Sequence, residues 1–419
     1  MNYPDSVHFL YALGNEIKTA KLGLERIRTV LDALGRPQDR RRFVHVAGTN
    51  GKGSVSAMIE SGLRAGGSTG LFTSPHLKEP TERIRLNGVP VDETRFTEAF
   101  DRVHAVVEGL LSTGALDLHT TYFETVTAMA LVIFAAEQTG IAVMEVGLGG
   151  RLDATNVIEP ELCVITPVDF DHEAFLGKSL EAIAGEKAGI LKAGVPAVFS
   201  RQRDEADKVL NLRAAELSIP VARTNGWTVY DLELDARGSR FLLSGERDLH
   251  IRCPLAGEHQ VENAATAAVA LTRLGASTPA IEEGIAQVKW PGRLERISER
   301  PEIIVDGAHN PAGARAVAAY IDRFYANRRV TLIYGAMRDK AVAEIGGILF
   351  SRAQQVIVTA ARQTRAMSPE TLREVADHPD VRVAATLPDA LAMAQDADVV
   401  FITGSLFLVA EARELLGAK

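Results

Sequence analysis

The chain has 419 residues, a formal net charge of −8, and Cys163 and Cys253 as its two cysteines. That length exceeds one comfortable core and predicts two domains. The negative balance excludes an electrostatic case for nucleic acid or a membrane surface, and two distant cysteines form no metal spacing, which fits a reduced, cytoplasmic setting. The opening Met1-Asn2-Tyr3-Pro4-Asp5 has no basic or apolar leader region, so no signal peptide is expected, and no apolar run approaches a membrane span.

Helical pieces broken at Gly14, Gly23 and Gly35-Arg36-Pro37 open the chain. Phe43 to Ala47 then reads as an apolar strand. It is followed by Gly48-Thr49-Asn50-Gly51-Lys52-Gly53 and a helix entered at Ser54 that carries Val55, Met58, Ile59 and Leu63. Strand, glycine turn and helix N-terminus in that order make a phosphate cradle, because backbone N–H groups converge on the anion where the helix presents unsatisfied donors. Lys52 can place a full charge against the β/γ-phosphates, and Ser54 can offer a hydroxyl to Mg²⁺ or phosphate. The strict P-loop pattern is broken, since Gly53 separates Lys52 from Ser54. A surface turn with a stray lysine is the bland alternative.

Gly70 to Thr73 reads as a second strand, and the polar run from Ser74-Pro75-His76 to Gly88 as a long functional loop. Asp92 caps a helix carrying Phe96, Phe100, Val103, Val107 and Leu110. A helix from Thr121 to Gln138 is apolar on most sides and therefore buried. Ile141 to Val146 is a buried strand that runs into Gly147-Leu148-Gly149-Gly150-Arg151-Leu152-Asp153-Ala154-Thr155-Asn156. A dinucleotide fingerprint fails there: Leu152 occupies the last glycine position and Pro160 comes too early for the helix. The strand Leu162 to Thr166 leads into Asp169-Phe170-Asp171-His172, Ser179 caps a helix through Glu186-Lys187-Ala188-Gly189, and Val195 to Phe199 is another strand. Trp227 to Arg252 alternates between polar turns and reads as a small antiparallel patch on the parallel sheet. A helix follows through Val261, Ala265, Ala268 and Leu271.

Lys289-Trp290-Pro291-Gly292-Arg293 marks the boundary between residues 1–292 and 293–419. Beyond it, strands near Ile303–Val305, Val330–Tyr334, Val356–Thr359, Val381–Ala384 and Val399–Ile402 leave room for one crossover helix each. The fold class is therefore α/β: a mainly parallel sheet domain bearing the phosphate turn, with helices on both faces, plus a smaller Rossmann-like C-terminal α/β domain.

Chemistry-bearing residues collect past strand ends, where open α/β sheets bind ligands. Glu145 closes an apolar strand, where an unpartnered carboxylate is costly, so either a cation such as Mg²⁺ or Arg151 is its partner. His172 is a soft ligand for Mg²⁺, and satisfying a backbone carbonyl is its alternative role. Asp306-Gly307-Ala308-His309-Asn310-Pro311 and Gly404-Ser405 close strands of the second domain in the same way. Polar strand ends in both domains suggest a cleft with substrate held by closure.

Taken together these motifs resemble bacterial folylpolyglutamate synthase, often also dihydrofolate synthase, within the Mur ligase superfamily. The match rests on Ala47 to Ser54, Thr73-Ser-Pro-His-Leu77 with Glu82-Arg-Ile84, Met144 to Asn156, Asp171-His172, Glu186 to Ile190, Pro291-Gly-Arg293, Asp306 to Asn310 and Thr403-Gly-Ser405. The family carries glycine between its Lys and Ser or Thr, as here. The resemblance implies that Thr49, Asn50, Gly51, Lys52, Gly53 and Ser54, with Asn263, Arg293 and Asp306, hold ATP. It assigns Ser74, Glu145 and His172 to Mg²⁺, and implies that Lys187 is N-carboxylated to ligate a second Mg²⁺. It further implies a monovalent cation, catalytic roles for Lys52 and Lys187, with His309 a candidate base, and Ser405 near substrate. Leu22, Gly23 and Leu24, Thr121, Tyr122, Phe123 and Glu124, and Leu152, Asp153 and Ala154 match pteroate-binding segments of bifunctional members. By spacing alone, Tyr122 and Phe123 also read as core residues opening a buried helix. The residue before Leu22 is often Asp in those members, and here it is Lys21. The implied partners are ATP, L-glutamate and folate or dihydropteroate, with no nucleic acid or membrane, acting on a monomer. The alternatives are a cell-wall Mur ligase with a UDP-linked acceptor and a nucleotide-dependent switch. The Ser74 to Leu77 segment and the Gly147 to Asn156 run favour the folate branch. A guanine-reading Asn-Lys pair does not occur in the chain.

Overall fold

Short apolar runs closed by glycine, proline or a polar turn become the strands of an eight-stranded sheet. They are β1 (Arg42–Ala47), β2 (Thr69–Phe72), β3 (Ile84–Leu86), β4 (Val89–Pro90), β5 (Ile141–Glu145), β6 (Leu162–Ile165), β7 (Ala197–Phe199) and β8 (Val221–Arg223). The structure is a computed structural model that describes residues 1–14 and 23–418, so the expectations for Lys21 and Leu22 lie outside the described residues. The sheet order is β4-β3-β2-β5-β1-β6-β7-β8. It is parallel from β2 to β8, while β3 and β4 add antiparallel edge pairs. The central strands are buried throughout β2, β5 and β6, as a sheet covered on both faces requires.

The order around β1 places the site. The chain leaves β1 for β2, returns to β5 against one flank of β1, and then crosses to β6 on the other flank. Val46 pairs with Glu145 and with Val164, so the C-terminal ends of β5, β1 and β6 lie level at the point where the winding reverses. The helix after β1 (Lys52–Leu63) is buried over most of its length. It accepts helix Thr278–Ala286 almost backbone to backbone: a Cβ on Gly284 would lie 2.3 Å from Gly62 Cα.

β9 (Thr228–Asp235), β10 (Gly238–Ser244) and β11 (Asp248–Cys253) form their own three-stranded sheet, in the order β11-β10-β9, rather than a patch on the parallel sheet. The C-terminal sheet contains β12 (Glu295–Glu299), β13 (Glu302–Val305), β14 (Val330–Tyr334), β15 (Gln355–Val358), β16 (Val381–Val383) and β17 (Val399–Thr403). Its order is β12-β13-β17-β14-β15-β16, with β12 the antiparallel edge. The chain divides into two compact units, one of residues 1–229, 243–250 and 262–288, the other of 230–242, 251–261 and 289–419.

Three local expectations change. The helix after β1 starts at Lys52, not Ser54, because Gly51 at φ 85° already serves as its N-cap and Gly53 is helical. The run from Ser74-Pro75-His76 to Gly88 is not one long loop: a 3₁₀ turn (Pro80–Arg83) and strand β3 occupy part of it. β8 and β12 are additional strands; β8 is three residues long and β12 is polar, so neither presents an apolar run.

Candidate active site

The turn after β1 is built by glycines that must stay glycines. Gly48 sits at φ 146°, and a Cβ there would lie 1.8 Å from Thr166 Oγ1. Gly51 sits at φ 85°, and its Cβ would lie 2.3 Å from Asn263 Oδ1. The turn is tied to the end of β6: Thr49 N–H and Asn50 N–H donate to Pro167 O at 2.9 and 3.3 Å. The Thr49 hydroxyl donates to Asp169 O at 2.9 Å and accepts from Asp169 N–H at 3.0 Å. Lys52 Nζ folds back on the turn, donating to the Gly48 and Thr49 carbonyls, each at 3.1 Å. Ser54 is buried in the first helical turn. Thr49 through Ser54 and Asn263 are thus brought together, with Lys52 charge at a helix N-terminus.

Glu145 ends β5, buried, and accepts from Ser74 N–H at 3.2 Å. The Ser74 hydroxyl accepts from Arg83 Nη1 at 2.9 Å, and Arg83 Nε donates to His76 Nδ1 at 2.8 Å. Burial, then the Arg83 charge, lowers His76 to about 3, which holds it neutral as the acceptor. Glu82 fixes this loop by accepting from the backbone N–H groups of Leu77, Lys78 and Glu79, each at 2.9 Å. Glu145 and Ser74 are hard oxygen donors, and a buried carboxylate gains most from a cation, so the pair fits Mg²⁺. Asp171 Oδ1 accepts from His172 N–H at 2.9 Å, and the His172 ring Nε2 lies 3.8 Å from the same oxygen. His172 adopts φ 52° at the start of a short helix.

Lys187 comes to the same turn by a different route. The Gly147–Asn156 loop lies against the helix Leu180–Ala188 so closely that a Cβ on Gly150 would meet Glu186 O at 2.8 Å, and one on Gly189 would meet Arg151 Cβ at 2.3 Å. Arg151 N–H donates to Glu186 O at 2.8 Å, and its guanidinium binds the Glu186 carboxylate. Arg151 therefore partners Glu186 rather than Glu145. That contact turns Lys187 inward, where its Nζ donates to Gly48 O at 2.8 Å. Burial, followed by the nearby Lys52 charge, lowers Lys187 to about 7, so its neutral amine is accessible near neutrality.

The loop has an internal frame that sequence alone did not reveal. The buried Asp153 carboxylate accepts from Leu148 N–H at 2.8 Å and from the Thr155 N–H and hydroxyl. The Thr155 hydroxyl in turn accepts from His45 Nε2 at 2.8 Å, on β1. Thr121 and Glu124 close a capping box on helix Tyr122–Ala136, and Glu124 also takes Arg26 Nε at 3.1 and 3.0 Å. Leu24, Tyr122 and Ala154 share one apolar cluster, against which Phe123 packs. A Cβ on Gly147 would meet the Phe123 ring at 2.5 Å. Among the pteroate segments, then, Leu24, Tyr122 and Ala154 meet. The Glu124 and Asp153 carboxylates are engaged by neighbouring backbone and side chains, while Gly23 and Leu152 stand outside the cluster. Arg26 and His45 are positioning residues whose only sequence signal was polarity beside an apolar run, and Arg83, from the Glu82-Arg-Ile84 motif, is a third.

The second unit repeats the strand-end arrangement. The Asp306 carboxylate, pushed up by burial and drawn back by Arg293, accepts from Leu294 N–H and Ala308 N–H, both at 2.8 Å. Arg293 Nη1 donates to Gly292 O at 2.9 Å. His309 Nδ1–H donates to Gly307 O at 2.8 Å, which makes Nε2 the acceptor nitrogen of that tautomer. Asn310 caps helix Pro311–Phe324, and Ser405 caps helix Leu406–Leu415 at the end of neighbouring β17. Arg293, Asp306, His309 and Ser405 thus gather at the C-terminal edge of β13 and β17.

The Mur ligase middle domain matches residues 46–271, and the Mur ligase glutamate ligase domain matches residues 292–406. The dihydrofolate synthase/folylpolyglutamate synthase of Bacillus subtilis is 34% identical over 411 residues, covering 94% of this chain and 95% of its own. A solved Mycobacterium tuberculosis folylpolyglutamate synthase, complexed with ADP and AMPPCP, superposes with a TM-score of 0.93 at 33% identity over 100% of both chains. E. coli FolC in complex with DHPP and ADP gives 0.88 at 32% identity, over 99% of this chain and 98% of the other.

Proposed function

The chain belongs to the dihydrofolate synthase/folylpolyglutamate synthase family of Mur ligases, and from that premise we propose that it joins L-glutamate to the carboxyl end of a folate at the expense of ATP. The observation that carries the reading is the glycine turn, where Lys52 and Lys187 both donate to Gly48 O beside the level ends of β1, β5 and β6. A folate carboxylate oxygen attacks the γ-phosphorus, the bond to the bridging oxygen breaks, and ADP leaves an acyl phosphate. The deprotonated glutamate amine then attacks the acyl carbon, and phosphate departs. Lys52 and the N-terminus of helix Lys52–Leu63 oppose the charge that builds on the phosphate oxygens. Thr49, Asn50, Gly51, Gly53 and Ser54 line the phosphates, and Asn263, Arg293 and Asp306 serve the nucleotide. His309 is our candidate for receiving the amine proton at Nε2, and Ser405 for meeting substrate.

Ser74 and Glu145, with His172, would hold one Mg²⁺ and a Lys187 carbamate a second; such ions, when bound, supply positive charge to phosphate oxygens. The carbamate forms as the neutral Lys187 amine bonds to the carbon of CO₂ and loses a proton. Residues 1–292 would carry the ATP chemistry and 293–419 the glutamate-ligase half, in a monomer.

Dihydropteroate as a second acceptor is favoured by the DHPP complex of the E. coli relative. The test is phosphate release from ATP and glutamate with tetrahydrofolate, dihydropteroate or a UDP-linked acceptor. Release that needs both glutamate and a folate is the expected result. Release with the UDP-linked acceptor alone, or ATP hydrolysis indifferent to any acceptor, overturns the proposal.

A further inference from the structure

Two imidazoles and a carboxylate converge outside the nucleotide site. His104 and Glu108 stand one turn apart on helix Glu93–Ser112, and His119 arrives from the segment just before the Thr121 cap. Glu108 Oε1 lies 3.9 Å from His104 Nδ1 and 3.6 Å from His119 Nε2, and the three ligand atoms lie within 4.8 Å of one another.

The His119 tautomer is set by its other nitrogen. Nδ1–H donates to Thr120 O at 2.9 Å, so Nε2 carries a lone pair toward Glu108. A backbone carbonyl on the far ring nitrogen is the usual support behind a metal-bound histidine. His104 Nδ1 and His119 Nε2 are buried atoms, and neither has a hydrogen-bond partner. Orphaned buried polar atoms are rare and call for a partner. Aromatic packing explains why the rings are there: Phe100 stacks on His104 at 5.4 Å, and Phe9 meets His104 at 4.6 Å and His119 at 5.6 Å. That packing locks both rings but satisfies neither nitrogen.

We propose that His104, Glu108 and His119 form a site for a divalent transition metal of the imidazole-preferring class, Zn²⁺ foremost, distinct from any Mg²⁺ at Glu145. Two nitrogens and one carboxylate oxygen suit Zn²⁺, whereas Mg²⁺ prefers an all-oxygen shell. Tetrahedral bonds of about 2.0–2.1 Å set ligand atoms roughly 3.3 Å apart. The Glu108 distances of 3.9 and 3.6 Å close to that when Glu108, the exposed member, shifts toward the two rings. The loaded ion ties helix Glu93–Ser112 to the segment that enters the Thr121–Glu124 capping box. Its role is a clamp on that segment, not a part of the ligation chemistry.

Co²⁺ titration of the whole protein, saturated with ADP and excess Mg²⁺, reads the site by visible d–d absorption. One Co²⁺ per chain with a tetrahedral band, displaced by one Zn²⁺, is expected. His104→Asn and His119→Asn should each weaken binding by more than about 100-fold, the upper end of what losing mere ligand support costs, with circular dichroism unchanged. If one substitution prevents folding, the other still decides. Absence of saturable Co²⁺ or Zn²⁺ binding by the wild-type chain, or an undiminished band in a folded single variant, overturns the proposal.

Discussion

His45 offers a sharp test of how the site is framed from below. It is fully buried on β1, and its Nε2–H donates to Thr155, whose hydroxyl donates to Asp153. Burial first, and the Lys192 charge second, lower it from 6.5 to about 3. The sign follows from which state binds the proton. Below pH 6.5 the unfolded chain takes up a proton that the folded chain refuses until about pH 3, so this histidine's contribution to stability falls as pH falls through that window. At 1.36 kcal/mol per pH unit, the loss between pH 7 and pH 5 is about 2 kcal/mol. His45→Gln keeps an N–H for Thr155 and removes the titration. Urea unfolding of both proteins at pH 7 and pH 5 isolates the effect as a difference, so that other histidines and carboxylates cancel. The variant should gain about 2 kcal/mol on the wild type between the two pH values. A difference that does not move with pH, to within about 0.5 kcal/mol, would show that the imidazole is not held neutral by burial.

Lys52→Ala should leave the fold intact and cost on the order of 3 kcal/mol of transition-state stabilisation, a rate loss of more than about 100-fold; wild-type turnover in a folded variant refutes the phosphate assignment. Lys187→Ala should lose most activity and regain part of it with acetate, and electron density for a bare ammonium in a metal-loaded complex would exclude the carbamate. Gly150→Ala, whose Cβ would meet Glu186 O at 2.8 Å and Lys187 Cα at 3.2 Å, should displace Lys187, cost at least about tenfold in kcat and lower stability by about 1–3 kcal/mol in urea unfolding. Lys21→Asp should raise turnover with dihydropteroate relative to tetrahydrofolate; an unchanged ratio of the two rates dissociates position 21 from pterin choice.

Much of the first unit was legible because its signals are local. Apolar runs set β1, β5 and β6, and Asp92 and Ser179 cap the helices expected of them. Strand ends carrying Glu145, Asp171 and His172 could be placed on one edge once the alternation implied a parallel sheet. What escaped was whatever depends on partners distant in sequence. Polar β12 is a strand because β13 pairs with it, and the Glu145–Arg151 alternative failed because Glu186, 35 residues beyond Arg151, takes the guanidinium.

Lys187 shows why a motif can name a residue without disclosing its chemistry. In sequence it is one cation on a short helix, indistinguishable from the solvated lysines around it. Its character comes from Gly150 and Gly189, which let a loop and a helix approach to backbone contact, and from Asp153, which holds that loop closed through Leu148 and Thr155. Only then is the side chain driven out of water onto Gly48 O, beside Lys52, where its ammonium form is disfavoured. The weakened hold of this amine on its proton is therefore a product of glycine packing more than of the lysine itself. Substitutions at Gly150 or Asp153 should report on Lys187 as surely as substitutions of Lys187 do.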